Sequence, residues 1–373
     1  MASSSRFLRR HPGLARLALA LAALTGCGFL LELGIRVLDP YPYVPPAEVN
    51  RTQHGNLSEY DAFLGWKGVP AARELLVTPN ARVLLEHNRQ GFRDLELEDR
   101  APRAPAIVFL GDSFTWGYEV AHTDMFVNLL RRRLAGFEVF NLAHRGYGTD
   151  QSLLTFRSWQ SERHLALVVL AFCENDIWEN NSREVYRKAK PKFAVVGGEL
   201  SLRNVPVPRV EAWDAAPAEP GASPAPPDPL GGLLLRSHLV HDLSYRLHNL
   251  GEQAPPPYRR APDLELTARL LEALRDEAHD RGAPLQVVAI PTKDEIQGRS
   301  DEPPYQESIA RICARLDVAF LDLGPAFRAA RLRTYFREGM HWTARGHAVA
   351  ADAIWSGIAW PSPESDADPQ VSR

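Results

Sequence analysis

Short apolar runs and helically spaced apolar residues alternate along much of this chain. Five apolar runs predict buried strands, at 106–110, 137–140, 165–172, 285–290 and 318–321. Five segments with apolar residues at helical spacing predict helices, at about 124–134, 151–159, 263–281, 303–316 and 343–358. Apolar strands separated by helices are typical of a parallel sheet with helices on both faces. We therefore predict a three-layer α/β/α domain over residues 104–358, with a five-stranded parallel sheet.

The alternation is interrupted between the third and fourth predicted strands, at about residues 187–262. Two short β-like runs flank the pair Gly197-Gly198, which predicts a turn. Residues 214–229 are rich in proline and alanine and predict a low-complexity linker. Residues 233–250 then have the spacing of an amphipathic helix. We interpret the whole segment as an insertion into the α/β domain.

The first 38 residues have the pattern of a membrane-directed segment. An apolar run extends from Leu17 to Leu31 and resumes after Glu32, and it is preceded or opened by four arginines: Arg6, Arg9, Arg10 and Arg16. We predict an uncleaved transmembrane helix at about residues 14–35, close to the ~20 residues that a bilayer requires. A cleaved signal peptide remains an alternative, as does a lipoprotein signal at Cys27 in Leu24-Thr25-Gly26-Cys27.

All three alternatives place the rest of the chain outside the cytoplasm, because the arginines stay on the inner side. The expected location is the bacterial inner membrane, with the globular part in the periplasm or outside the cell. Residues 39–103 are expected to form a proline-rich stalk and an N-terminal extension. Residues 359–373 are polar and predict a disordered tail.

Composition excludes several classes of protein. Hydrophobic residues make up 45% and charged residues 24% of the chain, which excludes a wholly disordered chain and a polytopic membrane protein. The 43 Lys+Arg against 46 Asp+Glu leave a formal net charge of -3, without the basic surplus typical of nucleic-acid binding. Three cysteines are too few for a disulfide framework. Neither a metal-ligand spacing nor a glycine-rich phosphate loop occurs, so we predict no metal and no cofactor.

Four segments that could carry chemistry follow the predicted strands. Ser113 comes after the first strand, Gly146 after the second, Asn175 after the third and His341 after the fifth. Ligands of open α/β sheets bind at the carboxyl ends of the strands. A hydroxyl, a backbone N–H, a side-chain amide and an imidazole are the groups that acyl transfer requires. Taken alone, Ser113 could equally be a helix cap.

Together these segments resemble the motif blocks of the SGNH (GDSL-type) hydrolase family, over about residues 104–358. The resemblance implies a flavodoxin-like fold with a five-stranded sheet. It implies that Ser113 is the nucleophile and His341 the general base. It further implies an oxyanion hole formed by the N–H groups of Ser113 and Gly146 and by the side-chain amide of Asn175.

The sequence departs from the family pattern at two positions. Cys173 occupies the place of a glycine, and we interpret it as a core thiol. Glu338 stands three residues before His341, where the family has an aspartate. A glutamate can also orient an imidazole, so we predict that Glu338 completes the catalytic set. Asp322, after the fifth strand, is the alternative for this role.

Four further side chains lie beside the motif blocks and are expected to line a substrate pocket: Asp112, Trp116, His144 and Trp178. Plain packing is the alternative for each, and Asp112 also suits a structural role in its loop. The resemblance implies a serine esterase or acyl hydrolase. We expect its partner to be an ester-bearing small molecule or glycan, and favour an O-acyl ester, O-acetyl above all, of a cell-envelope carbohydrate. The alternatives are a lipase or lysophospholipase and a non-catalytic accessory protein of envelope polysaccharide assembly.

Overall fold

The computed structural model describes residues 12–38, 44, 57–96, 104–210, 237–249, 264–299, 304–330 and 333–362. The chain divides into two compact units. The smaller comprises residues 1–49 and 221–255, and the larger comprises residues 50–220 and 256–373. The predicted linker at 214–229, and the predicted tail from residue 363 onward, lie outside the described residues.

The larger unit is built on five parallel strands. In chain order they are β5 (Ala106–Gly111), β6 (Glu138–Asn141), β7 (Leu165–Phe172), β12 (Leu285–Ala289) and β13 (Ala319–Asp322). They lie side by side in the order β6-β5-β7-β12-β13, and every neighbouring pair is parallel. This is the flavodoxin-like order 2-1-3-4-5. The predicted fold class and strand number are confirmed.

Helices cover both faces of this sheet. They are α2 (Ser113–Trp116), α3 (Phe126–Arg131), α4 (Thr149–Ser158), α5 (Asp176–Glu179), α7 (Leu264–Asp280), α8 (Lys293–Ile296), α9 (Gln306–Arg315), α10 (Gly324–Ala329) and α11 (Ala344–Gly357). Successive residues of β5 point to opposite faces: Val108 joins one core cluster with residues of α4, α7 and α9, and Phe109 joins the other with residues of α3, α10 and α11. The two cores therefore confirm the three layers.

Four small antiparallel pairs surround the central sheet. The N-terminal extension supplies β1 (Ser58–Asp61) with β2 (Gly65–Gly68), and β3 (Arg73–Val77) with β4 (Arg82–Glu86). The residues that lead into the insertion and its first part supply β8 (Glu184–Val185) with β9 (Lys188–Ala189), and β10 (Lys192–Val196) with β11 (Glu199–Arg203). The predicted turn at Gly197-Gly198 is confirmed, since both residues have positive φ angles of 62° and 88°.

The described part of the N-terminal extension packs onto the α/β domain. Leu57, Leu76 and Leu85 are buried in one cluster with Trp116, the last residue of the short helix in the loop after β5, and with Ala143, in the loop after β6. These loops follow the carboxyl ends of their strands. The extension is therefore adjacent to the edge at which the sequence predicts the active site.

The described residues of the smaller unit form two helices, α1 (Pro12–Leu38) and α6 (His238–Asn249). None of the residues of α1 is buried, and its length and composition suit a membrane span or a signal sequence. The Glu32 carboxylate accepts hydrogen bonds from Ser237 Oγ at 2.8 Å and from the backbone N–H groups of His238 and Leu239 at 3.1 and 2.8 Å. The charge within the apolar run therefore caps the start of α6.

Candidate active site

Ser113 lies at the turn between β5 and α2. Gly111 ends the strand with a φ of 146°, and a Cβ atom there would approach Thr115 Oγ1 to 2.6 Å. Asp112 caps α2, because its carboxylate accepts a hydrogen bond from the Phe114 N–H at 2.9 Å. This local geometry places Ser113 at the carboxyl edge of the sheet, at the first residue of the helix.

His341 reaches Ser113 from the other end of the domain. Its Nε2 atom lies 2.8 Å from Ser113 Oγ. The imidazole also contacts the rings of Phe114 and Tyr118, with ring centroids 5.2 and 4.6 Å away. Burial, together with the Arg145 cation, lowers the pKa of His341 to about 4. At neutral pH the imidazole is therefore uncharged and can accept the Ser113 proton.

Gly146 and Asn175 lie in the loops after β6 and β7, the two strands that flank β5. Gly146 has a φ of 72°, and a Cβ atom there would lie 2.8 Å from the Tyr186 ring. The Asn175 side chain lies near the Asp112 and Glu179 carboxyl groups and opposes the rise in pKa that burial causes in both. Both predicted oxyanion-hole residues thus belong to loops at the edge that carries Ser113.

Glu119 lies beside the His341 ring nitrogen that faces away from Ser113. Glu119 Oε2 is 3.8 Å from His341 Nδ1, and the Glu119 side chain is 5% exposed. Glu119 Oε1 accepts a hydrogen bond from Asn80 Nδ2 at 3.0 Å. The same Asn80 amide donates to the backbone carbonyl of Glu338 at 2.8 Å, and the Glu338 N–H donates to Asn80 Oδ1 at 3.3 Å. The sequence analysis did not identify Glu119.

Asp322, the alternative acid, has a local role. Its carboxylate accepts a hydrogen bond from the Gly324 N–H at 2.7 Å, at the start of α10. Among the contacts of the described residues, neither a hydrogen bond nor an ion pair joins Asp322 to His341. The geometry therefore assigns Asp322 to the start of α10.

The predicted pocket residues are packed among other side chains. Trp116 is fully buried, and its ring contacts that of His87 edge-on with centroids 5.7 Å apart. His144 is buried and stacks on Tyr147 at 5.1 Å. Trp178 packs against the core cluster that includes residues of α4 and α7. Burial raises the pKa of Asp112 to about 7, and the nearby Glu179 charge adds to this effect. These contacts favour packing over direct exposure to a substrate.

Several residues near the site were not anticipated. The Arg145 guanidinium lies over the Trp116 ring at 4.9 Å and over the Tyr118 ring at 6.0 Å. Tyr186, at the tip of the β8–β9 hairpin, donates a hydrogen bond to Glu179 Oε1 at 3.1 Å. The β8–β9 hairpin therefore contributes a side chain beside Gly146. Tyr186 lies outside the motif blocks, so no sequence pattern predicts that its side chain lies beside Gly146.

A buried ion pair fixes the insertion to the sheet edge. Lys190 Nζ lies 2.7 Å from an oxygen of Asp150, and both side chains are fully buried. Lys190 Nζ also donates to the backbone carbonyl of Glu179 at 2.8 Å. Asp150 belongs to α4 and Glu179 to α5, the short helix that follows Asn175. Lys190 therefore ties three segments together behind the Asn175 loop.

Among the described residues, no group of histidine, cysteine and acidic side chains is suited to hold a metal ion.

Comparison with known proteins identifies a family and several related folds. The pattern of the GDSL-like Lipase/Acylhydrolase family matches residues 109–349. No curated protein matches the chain. Solved structures similar to this chain include an acetyl xylan esterase, AlAXEase, at 12% identity and a TM-score of 0.40, with 68% of this chain and all of that chain covered. A second is a lipolytic protein of the G-D-S-L family from Veillonella parvula, at 11% identity and a TM-score of 0.39, with 68% and 97% covered. A third is the psychrotrophic esterase EstA from a Pseudoalteromonas species, at 11% identity and a TM-score of 0.38, with 68% and 96% covered.

Proposed function

This chain belongs to the GDSL-like lipase/acylhydrolase family, and we propose that it is a serine esterase with Ser113 as nucleophile and His341 as general base. The observation that carries this proposal is the 2.8 Å contact between His341 Nε2 and Ser113 Oγ. A serine hydroxyl is a weak nucleophile until a base within hydrogen-bond distance removes its proton. The lowered pKa of His341, about 4, keeps that base in its neutral form at neutral pH.

The reaction follows from these positions. Ser113 Oγ attacks the ester carbonyl carbon while His341 Nε2 takes the hydroxyl proton. The N–H groups of Ser113 and Gly146 and the side-chain amide of Asn175 stabilise the oxyanion of the tetrahedral intermediate. His341 then gives the proton to the departing alkoxide, and an acyl-serine remains. Water attacks that ester with His341 again as base, the bond between Ser113 Oγ and the acyl carbon breaks, His341 returns the proton to Ser113 Oγ, and the carboxylic acid leaves. An acceptor hydroxyl in place of water would make the same site an acyltransferase.

The helix α1 is the proposed membrane anchor. Glu32 lies 20 positions after Pro12, which corresponds to about 30 Å of helix, the thickness of a bilayer core. Glu32 would then lie at the far interface, where its carboxylate caps α6. The arginines that precede α1 favour an orientation with the hydrolase unit in the periplasm. A lipid on Cys27, which is exposed, is the alternative form of attachment.

We favour an O-acyl ester of a cell-envelope carbohydrate, and an O-acetyl ester in particular, as the substrate. The support is the proposed location, which gives an anchored enzyme access to envelope glycans. The same location also suits a lipase or lysophospholipase. A non-catalytic accessory protein would not require the Ser113–His341 contact.

The test measures ester hydrolysis by the full-length protein in detergent. The substrates are p-nitrophenyl acetate, p-nitrophenyl palmitate, an acetylated polysaccharide and lysophosphatidylcholine. We expect hydrolysis of p-nitrophenyl acetate and release of acetate from the polysaccharide. Activity confined to palmitate and lysophosphatidylcholine would instead indicate a lipase. Absence of hydrolysis from a folded protein, together with failure of a fluorophosphonate to label Ser113, would favour the accessory role.

A further inference from the structure

The second nitrogen of the His341 ring needs a hydrogen-bond acceptor if the proposed esterase mechanism operates. When Nε2 accepts the Ser113 proton, the ring becomes a cation with a proton on Nδ1. A carboxylate at Nδ1 fixes the productive tautomer and stabilises this cation. Glu119 is the only carboxylate in the described part of the chain that lies within ion-pair distance of either ring nitrogen, with Oε2 at 3.8 Å from Nδ1.

We propose that Glu119, and not Glu338, is the positioning residue for His341. The inference rests on the proposed serine esterase function and deepens it. In the family pattern the acid lies three residues before the histidine. Here the acid, Glu119, lies six residues after the nucleophile. The nucleophile and the acid would then belong to a single turn of chain after β5.

The local backbone explains how Glu119 reaches the ring. The helix α2 is capped at its C-terminal end by Gly117, which has a φ of 84° and whose N–H donates to the Ser113 carbonyl at 2.9 Å. Glu119 itself has a φ of 67°, a conformation that few non-glycine residues adopt. These two left-handed residues turn the chain back toward Ser113. Residue 119 therefore comes to the side of the imidazole that faces away from the Ser113 hydroxyl.

Hydrogen bonds hold the Glu119 carboxylate in place. Asn80 Nδ2 donates to Oε1 at 3.0 Å, and the nearby Thr78 hydroxyl opposes the rise in the Glu119 pKa that burial causes. The other oxygen, Oε2, is the one nearest to His341. A shift of about 1 Å would close this contact to hydrogen-bond length, and catalytic hydrogen bonds commonly shorten when substrate binds. Because the group is buried, its attraction for the imidazolium is little screened by water.

Glu338 has a different part in the same arrangement. Its backbone N–H and carbonyl both bond the Asn80 side chain, which thereby links the His341 loop to the Glu119 carboxylate. Lys293 Nζ holds the same loop by donating to the carbonyls of Arg337 and Gly339 at 2.6 and 2.9 Å. Burial raises the pKa of Glu119, the Glu338 charge adds to the rise, and the Lys293 cation opposes it. Glu338 therefore supports the His341 loop through its main chain, which a glutamine at this position would leave in place.

The matched variants Glu119→Gln and Glu338→Gln test this inference in the full-length protein. Each removes one charge and keeps the size of the side chain. We expect Glu119→Gln to lower kcat for p-nitrophenyl acetate by about 100-fold or more with KM little changed, because the loss falls on the transition state. Glu338→Gln is expected to stay within about threefold of the wild type. Thermal unfolding of both variants establishes that each is folded.

A spectroscopic readout separates orientation of the ring from a structural effect. After phosphonylation of Ser113, a protonated His341 that is bonded to a carboxylate gives a far-downfield imidazole N–H proton signal. We expect this signal in the wild type and in Glu338→Gln, and its loss or upfield shift in Glu119→Gln. A normal signal and normal kcat in Glu119→Gln, with both lost in Glu338→Gln, would overturn the inference. A wild type that neither hydrolyses esters nor reacts with the phosphonate would instead contradict the proposed function itself.

Discussion

The Phe114 and Trp342 rings pack edge to face with centroids 4.9 Å apart, and each belongs to a residue adjacent to one member of the Ser113–His341 pair. Both rings are buried in the same core cluster, on one face of the central sheet. The two members of the pair are 228 residues apart in the chain. Their contact therefore depends on a core that forms only when the beginning and the end of the domain have come together.

The pKa of His341 predicts the acid limb of the activity profile. The neutral imidazole is the active form. Burial lowers the pKa of His341 to about 4, so the ring gains a proton only near that pH. We expect kcat/KM for p-nitrophenyl acetate to stay level as the pH falls from neutral and to decline only near pH 4. Circular dichroism at each pH must show that the fold persists. A decline centred near 6.5, the ordinary histidine value, would contradict the described burial of the ring.

Gly146→Ala tests the oxyanion-hole loop. A methyl group at this residue would lie 2.8 Å from the Tyr186 ring, so the loop must shift to admit it. We expect kcat to fall at least about tenfold, because the residue 146 N–H would leave its position. Gly197→Ala is the matched control. Gly197 has a similar φ of 62° with open space around it, so the control should cost about 1–2 kcal/mol of stability and leave kcat unchanged. Equal kcat in the two variants would remove Gly146 from the oxyanion hole.

Lys190→Met tests the buried ion pair behind the Asn175 loop. Without Lys190 the fully buried Asp150 carboxylate loses its cation, and the Glu179 carbonyl loses a donor. We expect the free energy of unfolding to fall by about 3–5 kcal/mol, measured by urea denaturation. The control is Lys67→Met, since Lys67 pairs with Glu59 and Asp61 while its own side chain is about half exposed. That variant should lose less than about 1 kcal/mol. Similar losses in the two variants would show that Lys190 contributes no more than a surface charge.

Deletion of residues 1–38 tests the independence of the hydrolase unit. None of the residues of α1 is buried, and the two core clusters of the sheet contain no residue from it. We expect the truncated protein to be soluble without detergent, to unfold cooperatively and to retain its kcat on p-nitrophenyl acetate. Aggregation or loss of cooperative unfolding would indicate that α1 completes the folded body.

The sequence was sufficient for the parts of the fold that depend on local pattern. The strands of the central sheet are buried on both faces, so they appear as continuous apolar runs, and β5 and β7 were predicted almost to the residue. Ser113, Gly146, Asn175 and His341 follow strands whose order is fixed by the fold. Their positions at one sheet edge could therefore be predicted from motifs and topology together.

The rest depends on contacts between segments that share no pattern. Glu119 approaches His341 because Gly117 turns the chain and because Asn80, from the N-terminal extension, bonds its carboxylate. Tyr186 approaches Gly146 through the β8–β9 hairpin. Glu338 stands at the spacing of the family acid, and spacing alone gives no sign of Glu119, whose carboxylate lies 3.8 Å from His341 Nδ1. These relationships appear only in three dimensions.

Hydrolysis of p-nitrophenyl acetate by Ser113→Ala, compared with the wild type, tests the central claim most directly. The variant removes one oxygen atom and leaves β5, α2 and the Asp112 cap in place, so its unfolding transition should match that of the wild type. If Ser113 is the nucleophile, we expect activity to fall by several orders of magnitude, and a fluorophosphonate to add to Ser113 of the wild type and not to the variant. Near-wild-type hydrolysis by a correctly folded Ser113→Ala protein would contradict the serine esterase mechanism.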